Sequence, residues 1–162
     1  MGNKRWRLLT IVMAGLMSLA INAQEPTDSV AHDFTLETRE GRTVRLSELP
    51  ADRQTLLMFY DPDCSDCRQE QFAMRHSSLL QRAVSEGRVQ VLCVYAEEND
   101  SLWRATMDEF PAAWMVAKAR TDIKSEGFYD LSGMPALYLL DKSKAILQHC
   151  YEFSELRERL NP

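Results

Sequence analysis

The chain has 162 residues, 45% hydrophobic and 27% charged, which suits one compact domain with a sizeable core and leaves no room for a second. Its net charge of −5 argues against nucleic acid or an anionic membrane surface as a partner. A domain of this size needs no staples, and two of its four cysteines sit three apart, so a redox pair plus two buried thiols fits better than two structural disulfides.

The first 23 residues are a different material. Lys4, Arg5 and Arg7 precede an apolar run from Leu8 to Ile21, then Asn22-Ala23 and polar Gln24-Glu25-Pro26. This reads as a secretory signal peptide cut before Gln24; the run is short of the about 20 residues a membrane span needs, and an uncleaved anchor is the alternative. No cysteine follows the run, which argues against a lipoprotein anchor. Removing Lys4, Arg5 and Arg7 from the 19 basic residues leaves 16 against 24 acidic ones, a balance of −8. Residues 24–162 then form a single exported domain, most naturally periplasmic.

Along that domain His32–Thr38 alternates apolar and polar, Glu40-Gly41 supplies a turn, and Thr43–Leu46 resumes the alternation, predicting a β-hairpin. Ser47–Pro50 reads as a short helical turn. Leu56–Tyr60 is a short apolar run ended by Asp61-Pro62-Asp63, as expected of a central strand covered on both faces. From Cys64 onward Phe72, Leu79, Leu80, Ala83 and Val84 recur at helical spacing until Glu86-Gly87, predicting one helix. Val89–Tyr95 is a second buried strand, so strand, helix and strand make a parallel βαβ unit. Asn99-Asp100-Ser101 caps a helix through Leu102, Trp103, Met107 and Phe110 that stops at Pro111. Trp114-Met115-Val116 suggests a short strand, and Thr121-Asp122-Ile123 a helical piece towards Gly127. Met134–Leu140 and Ala145–Tyr151 predict an antiparallel hairpin turned at Asp141–Lys144, and Ser154–Leu160 an amphipathic closing helix.

Chemistry concentrates at Asp61-Pro62-Asp63-Cys64-Ser65-Asp66-Cys67. A thiol at a helix N-terminus faces unpaired backbone N–H groups and the positive end of the dipole, so its thiolate is favoured and can attack a disulfide. A second thiol one turn on can resolve the mixed disulfide. The alternatives are a structural disulfide or half of a metal site; no second CxxC exists, and distant His76 or His149 would have to complete a copper site. Cys93, inside an apolar strand, reads as a core residue. Cys150 alternates with Gln148 and Glu152, predicting a partly exposed, inert thiol.

With Cys64-Ser65-Asp66-Cys67 between strand and helix, Gly133-Met134-Pro135 before a later strand, and a final hairpin and helix, Ala31–Leu160 resembles the thioredoxin fold. The leading hairpin, export signal and middle insertion resemble the exported TlpA/ResA-like thiol:disulfide oxidoreductases in particular. The resemblance implies a three-layer α/β/α fold with a mixed central sheet and an N-terminal β-hairpin. It implies Cys64 as nucleophile, Cys67 as resolving thiol, Glu70 as an acid assisting proton transfer, and Met134 with a cis-Pro135 as the seat of an extended substrate strand. The cysteine pair would be the only redox group, protein or peptide disulfides the substrates, and a membrane donor the source of electrons. The pattern also departs from the family: Asp63 and Asp66 replace the usual Trp and Pro of the motif, and Met58 stands where thioredoxin has a buried acid. Peroxidases of this superfamily carry a threonine where Asp61 stands. Negative charge from Asp61, Asp63 and Asp66 disfavours a Cys64 thiolate and so favours the disulfide, predicting a reductant with a potential below about −200 mV. The competing non-enzymatic reading is a thioredoxin-like binding module of an exported assembly, with the cysteine pair bracing its loop or holding a metal.

Overall fold

The computed structural model describes residues 29–161, so the signal peptide expected over residues 1–23 lies outside the described residues. In chain order these residues form β1 (Thr35–Thr38), β2 (Thr43–Arg45), a 3-10 turn at Leu46–Glu48, β3 (Gln54–Tyr60), α1 (Ser65–Arg75), α2 (Ser78–Ser85) and β4 (Val89–Tyr95). There follow α3 (Asp100–Thr106), a 3-10 turn at Met107–Glu109, β5 (Met115–Ala119), α4 (Ile123–Glu126), β6 (Ala136–Leu140), β7 (Ile146–Cys150) and a 3-10 helix at Phe153–Leu160.

The seven strands make one mixed sheet in the order β2-β1-β5-β4-β3-β6-β7. β3 and β4 pair in parallel from Gln54↔Val89 to Tyr60↔Tyr95, and β6 runs antiparallel on the other side of β3. The apolar run expected at the centre is therefore flanked on both edges and buried on both faces. Alternation in β3 sends Leu56, Met58 and Tyr60 to one core and Leu57 and Phe59 to the other. The first core is roofed by Met74 of α1, Leu80 of α2, Trp103 of α3 and Phe153, Leu156 and Leu160 of the closing helix. The second has a thinner roof: Phe34, Leu46, Ile123 of α4, and Tyr129.

Four local expectations change. The long helix after Cys64 is two helices, because Ser77 leaves the helical region (φ −77, ψ 107) and its side chain accepts the Leu80 N–H at 3.3 Å, capping α2. Apolar periodicity runs through that break, which is why the sequence hides it. β5 is longer than Trp114–Val116 and lies inside the sheet, parallel to β4 and antiparallel to β1, so it ties the leading hairpin to the core. The closing segment is a 3-10 helix rather than an α-helix, held at its start by Glu70 on the Phe153 N–H and near its end by Arg88 on the Leu160 carbonyl. Cys150 is buried, at 3% exposure, because that closing helix folds back over its face of β7. Cys93, as expected, is fully buried in β4.

Candidate active site

At the end of β3 the chain must turn from strand to helix within four residues, and Asp61 makes the turn. Its Oδ1 accepts the Asp63 N–H at 3.0 Å while its carbonyl accepts the Cys64 N–H at 3.1 Å, an Asx-type turn closed at both levels. Cys64 then sits in extended backbone (φ −79, ψ 122) as the N-cap of α1, its Sγ accepting the Cys67 N–H at 3.2 Å. Sulfur thus takes the place of the usual capping oxygen, on an N–H that the helix itself leaves unpaired.

All four cysteines are unpaired thiols in this structure. Cys64 is half-buried and Cys67 is 2% exposed, so the first is the one an incoming disulfide meets. Burial pushes the Cys67 thiol up to about 12, opposed by a hydrogen bond from the Asp61 backbone and reinforced by Cys64 and the Asp61 charge. Burial likewise pushes Cys150 up to about 12 and raises Cys93, so neither is a ready nucleophile at neutral pH.

Facing the pair is the segment ahead of β6. The Met134–Pro135 bond is cis, and the Cys64 thiol donates to the Met134 carbonyl at 3.6 Å. This segment is held from behind. Asp130 Oδ1 accepts both the Ser132 N–H (3.0 Å) and the Ser132 hydroxyl (2.6 Å), which holds the Asp130 carboxyl down at about 2. The Tyr138 hydroxyl accepts the Asp130 N–H at 2.7 Å, and the Tyr151 ring packs so close to Gly133 that a Cβ there would lie 2.9 Å from it.

Cys64, Cys67, Met134 and Pro135 are therefore brought together. Glu70 is placed differently: its Oε2 accepts the Phe153 N–H at 2.8 Å, joining α1 to the closing helix. His76 Nδ1 lies 2.9 Å from the Phe72 carbonyl, and His149 stacks on Tyr138 at 4.3 Å. Among the described residues no group of three or more His, Cys, Asp or Glu side chains gathers as a metal site. Sequence reasoning passed over the props of the proline segment. Asp130-Leu131-Ser132 carries the same Asp-x-Ser pattern as the turn at Asp141-Lys142-Ser143, where the Asp141 carboxylate accepts the Ser143 N–H, and that was the available signal.

Residues 27–149 match the family model described as AhpC/TSA family. The chain belongs to the AhpC/TSA family. Among solved structures it is similar to a conserved protein of unknown function from Bacteroides fragilis, at 32% identity and a TM-score of 0.76, over 82% of this chain and 96% of that one. It is also similar to a thioredoxin-like protein from Bacteroides caccae, at 29% identity and a TM-score of 0.77; 82% of this chain is covered, and it spans about half (48%) of that protein. The thioredoxin domain of a thiol-disulfide oxidoreductase from Bacteroides vulgatus shares the fold at 21% identity and a TM-score of 0.68, over 82% of this chain and 94% of that one. No curated protein gives a significant match. This AhpC/TSA member has the thioredoxin-like α/β fold, and its resemblance to the TlpA/ResA-like branch stands.

Proposed function

We propose that the protein is an exported thiol:disulfide oxidoreductase that reduces disulfides of proteins or peptides. One observation carries the reading: the Cys64 sulfur caps α1, accepts the Cys67 N–H and lies against the Met134 carbonyl ahead of Pro135. The thiolate of half-buried Cys64 attacks a substrate disulfide, forming a bond to one substrate sulfur and expelling the other as a thiolate, which takes up a proton. Cys67, one turn along the helix, then attacks Cys64 Sγ. The Cys64–Cys67 disulfide forms and the second substrate thiol leaves. Burial keeps Cys67 from meeting disulfides in solution, so its reaction is with Cys64 one turn away. The Met134-Pro135 backbone offers an extended substrate strand a place beside the pair.

Export rests on the basic, apolar and small-residue order of the N-terminus, and a membrane electron donor rests on the TlpA/ResA-like resemblance. The cysteine pair serves as the redox group, with no further cofactor. Asp61, Asp63 and Asp66 around the start of α1 favour the reducing direction, with a potential below about −200 mV. Redox titration against glutathione checks this, and a value close to that of strong periplasmic oxidants overturns it. Peroxide reduction fits less well, since Asp61 stands in place of the threonine that peroxidases of this superfamily use.

Reduction of insulin, with Cys64→Ser as control, tests the activity: turnover by the wild type and none by the variant is expected. Equal inactivity of the two overturns the oxidoreductase reading in favour of a binding module. Expression of Cys67→Ser in the native host is expected to hold substrates as mixed disulfides on Cys64, and identifies them.

A further inference from the structure

Resolution of the mixed disulfide requires a proton to leave Cys67, and its acceptor is not obvious. Met58 occupies the strand position where thioredoxin has a buried acid, and the Glu70 carboxylate is engaged by the Phe153 N–H. Asp63 and Asp66 point into solvent. Asp61 differs in one respect: half-buried like Glu70, it shares with Cys67 the wall of a narrow cleft with room for one water, about 10 Å³. Its Oδ1 is occupied by the Asp63 N–H, whereas Oδ2 accepts no hydrogen bond among the described residues.

The rest of the cleft suits a polar guest. Tyr60, 2% exposed, also lines it, and the Tyr60 hydroxyl has no hydrogen-bond partner among the described residues. Arg68 borders the opening with its guanidinium donating to the Pro62 carbonyl at 2.7 Å, and Glu109 is exposed there with its carbonyl accepting from Arg75. Asp61 also meets Cys67 through its backbone, whose hydrogen bond lowers the Cys67 thiol while the Asp61 charge raises it.

We infer that Asp61 is the proton acceptor for Cys67, a catalytic role that rests on the oxidoreductase reading above. With a substrate sulfur bound to Cys64, the Asp61 carboxylate takes the Cys67 proton across the one-water cleft. The Cys67 thiolate attacks Cys64 Sγ, the Cys64–Cys67 bond forms and the bond to substrate breaks. The departing substrate thiolate then receives the proton from Asp61, restoring the carboxylate. When a donor re-reduces the pair, the same carboxylate relays the proton back to Cys67. The strand-to-helix turn that forms the Cys64 cap thus also delivers the base, through one residue.

Reduced protein mixed with 5,5′-dithiobis(2-nitrobenzoate) tests this without any natural substrate. Attack by Cys64 releases one thionitrobenzoate, and attack by Cys67 on the resulting mixed disulfide releases a second. Asp61→Asn keeps the Oδ1 acceptor for the Asp63 N–H, so the turn is retained. It is expected to leave the first phase at least as fast as in the wild type, because one less negative charge by the start of α1 favours the Cys64 thiolate, and to slow the second roughly 100-fold at pH 7. The second phase should recover as pH rises and solvent base takes over, and Asp61→Glu should recover part of it at pH 7. A purely electrostatic or structural role predicts the opposite sign, because removing a negative charge beside Cys67 eases its ionisation. A second phase as fast as wild type, or faster, in Asp61→Asn overturns the assignment while leaving the oxidoreductase reading intact. Absence of the first phase in the wild type overturns that reading itself.

Discussion

At the scale of single residues, burial separates the four thiols into different tasks. Cys64 is half-buried, Cys67 faces inward into the first core, and Cys93 and Cys150 are locked in strands beneath helices. Brief iodoacetamide treatment of the reduced native protein, read by mass spectrometry, should modify Cys64 first and spare Cys93 and Cys150 until the protein is unfolded. Rapid labelling of Cys150 would place it at the surface and contradict the packing. Glu70 is the residue where position and role part company most clearly. Its place three after Cys67 marks it for proton transfer by resemblance, yet its carboxylate holds the Phe153 N–H. Glu70→Ala should therefore destabilise the fold by about 1–3 kcal/mol, the cost of leaving a partly buried donor without an acceptor. Glu70→Gln, which retains an acceptor oxygen, should cost less and keep both kinetic phases. Slower resolution in Glu70→Gln with stability intact would return the proton-transfer role to that residue.

Single elements are set by caps and by neighbours more than by apolar period. The stretch after Cys64 carries helical spacing throughout, but Ser77 captures the Leu80 N–H and restarts the helix, so α1 and α2 meet at a corner. That corner lets α1 point its start at the proline segment while α2 packs Leu80 and Ala83 into the same core. Ser77→Ala should cost about 1 kcal/mol by urea unfolding, a typical value for losing a cap, with no change in thiol kinetics. An unchanged midpoint would show that packing alone holds the corner. The edge hairpin follows the same logic: β1 and β2 fold locally, but their attachment depends on β5, a strand that carries only five residues and a modest pattern.

For the molecule as a whole, an exposed but hydrogen-bonded carboxylate and a buried thiol shape how stability varies with pH. Asp130, below the ordinary carboxylate value of 3.8 at about 2, binds its proton less readily folded than unfolded. Its contribution is present above pH 3.8 and is lost as pH falls towards 2. Cys150 behaves in the opposite sense. Raised from 9.0 to about 12, it contributes fully below pH 9.0, and that contribution is lost as pH rises towards 12. Urea midpoints of the reduced protein should accordingly fall off at both ends. Cys150→Ala should flatten the alkaline limb and Asp130→Asn the acid one, whatever each does to stability at neutral pH. Limbs that keep their wild-type slope in both variants would assign the losses to other groups.

Much of this was legible in the residues themselves. Two apolar runs bounded by turn residues specified the parallel β3–β4 pair, since only a doubly covered strand has an unbroken apolar face on each side. The order strand, Cys64-x-x-Cys67, helix, and later Met134-Pro135 before a strand carried the resemblance to the thioredoxin fold. Sequence could not say what lies opposite what. That Glu70 reaches Phe153, that Tyr151 braces Gly133, and that Glu109 and Phe110 help to line the cleft Asp61 shares with Cys67 are contacts between segments well separated in the chain. Such contacts leave no period in the chain, because they arise only when the sheet brings separate turns to one edge. The cysteine pair was written in the sequence. Where the neighbouring acids sit was decided by the turn at Asp61 and by the closing helix that meets Glu70.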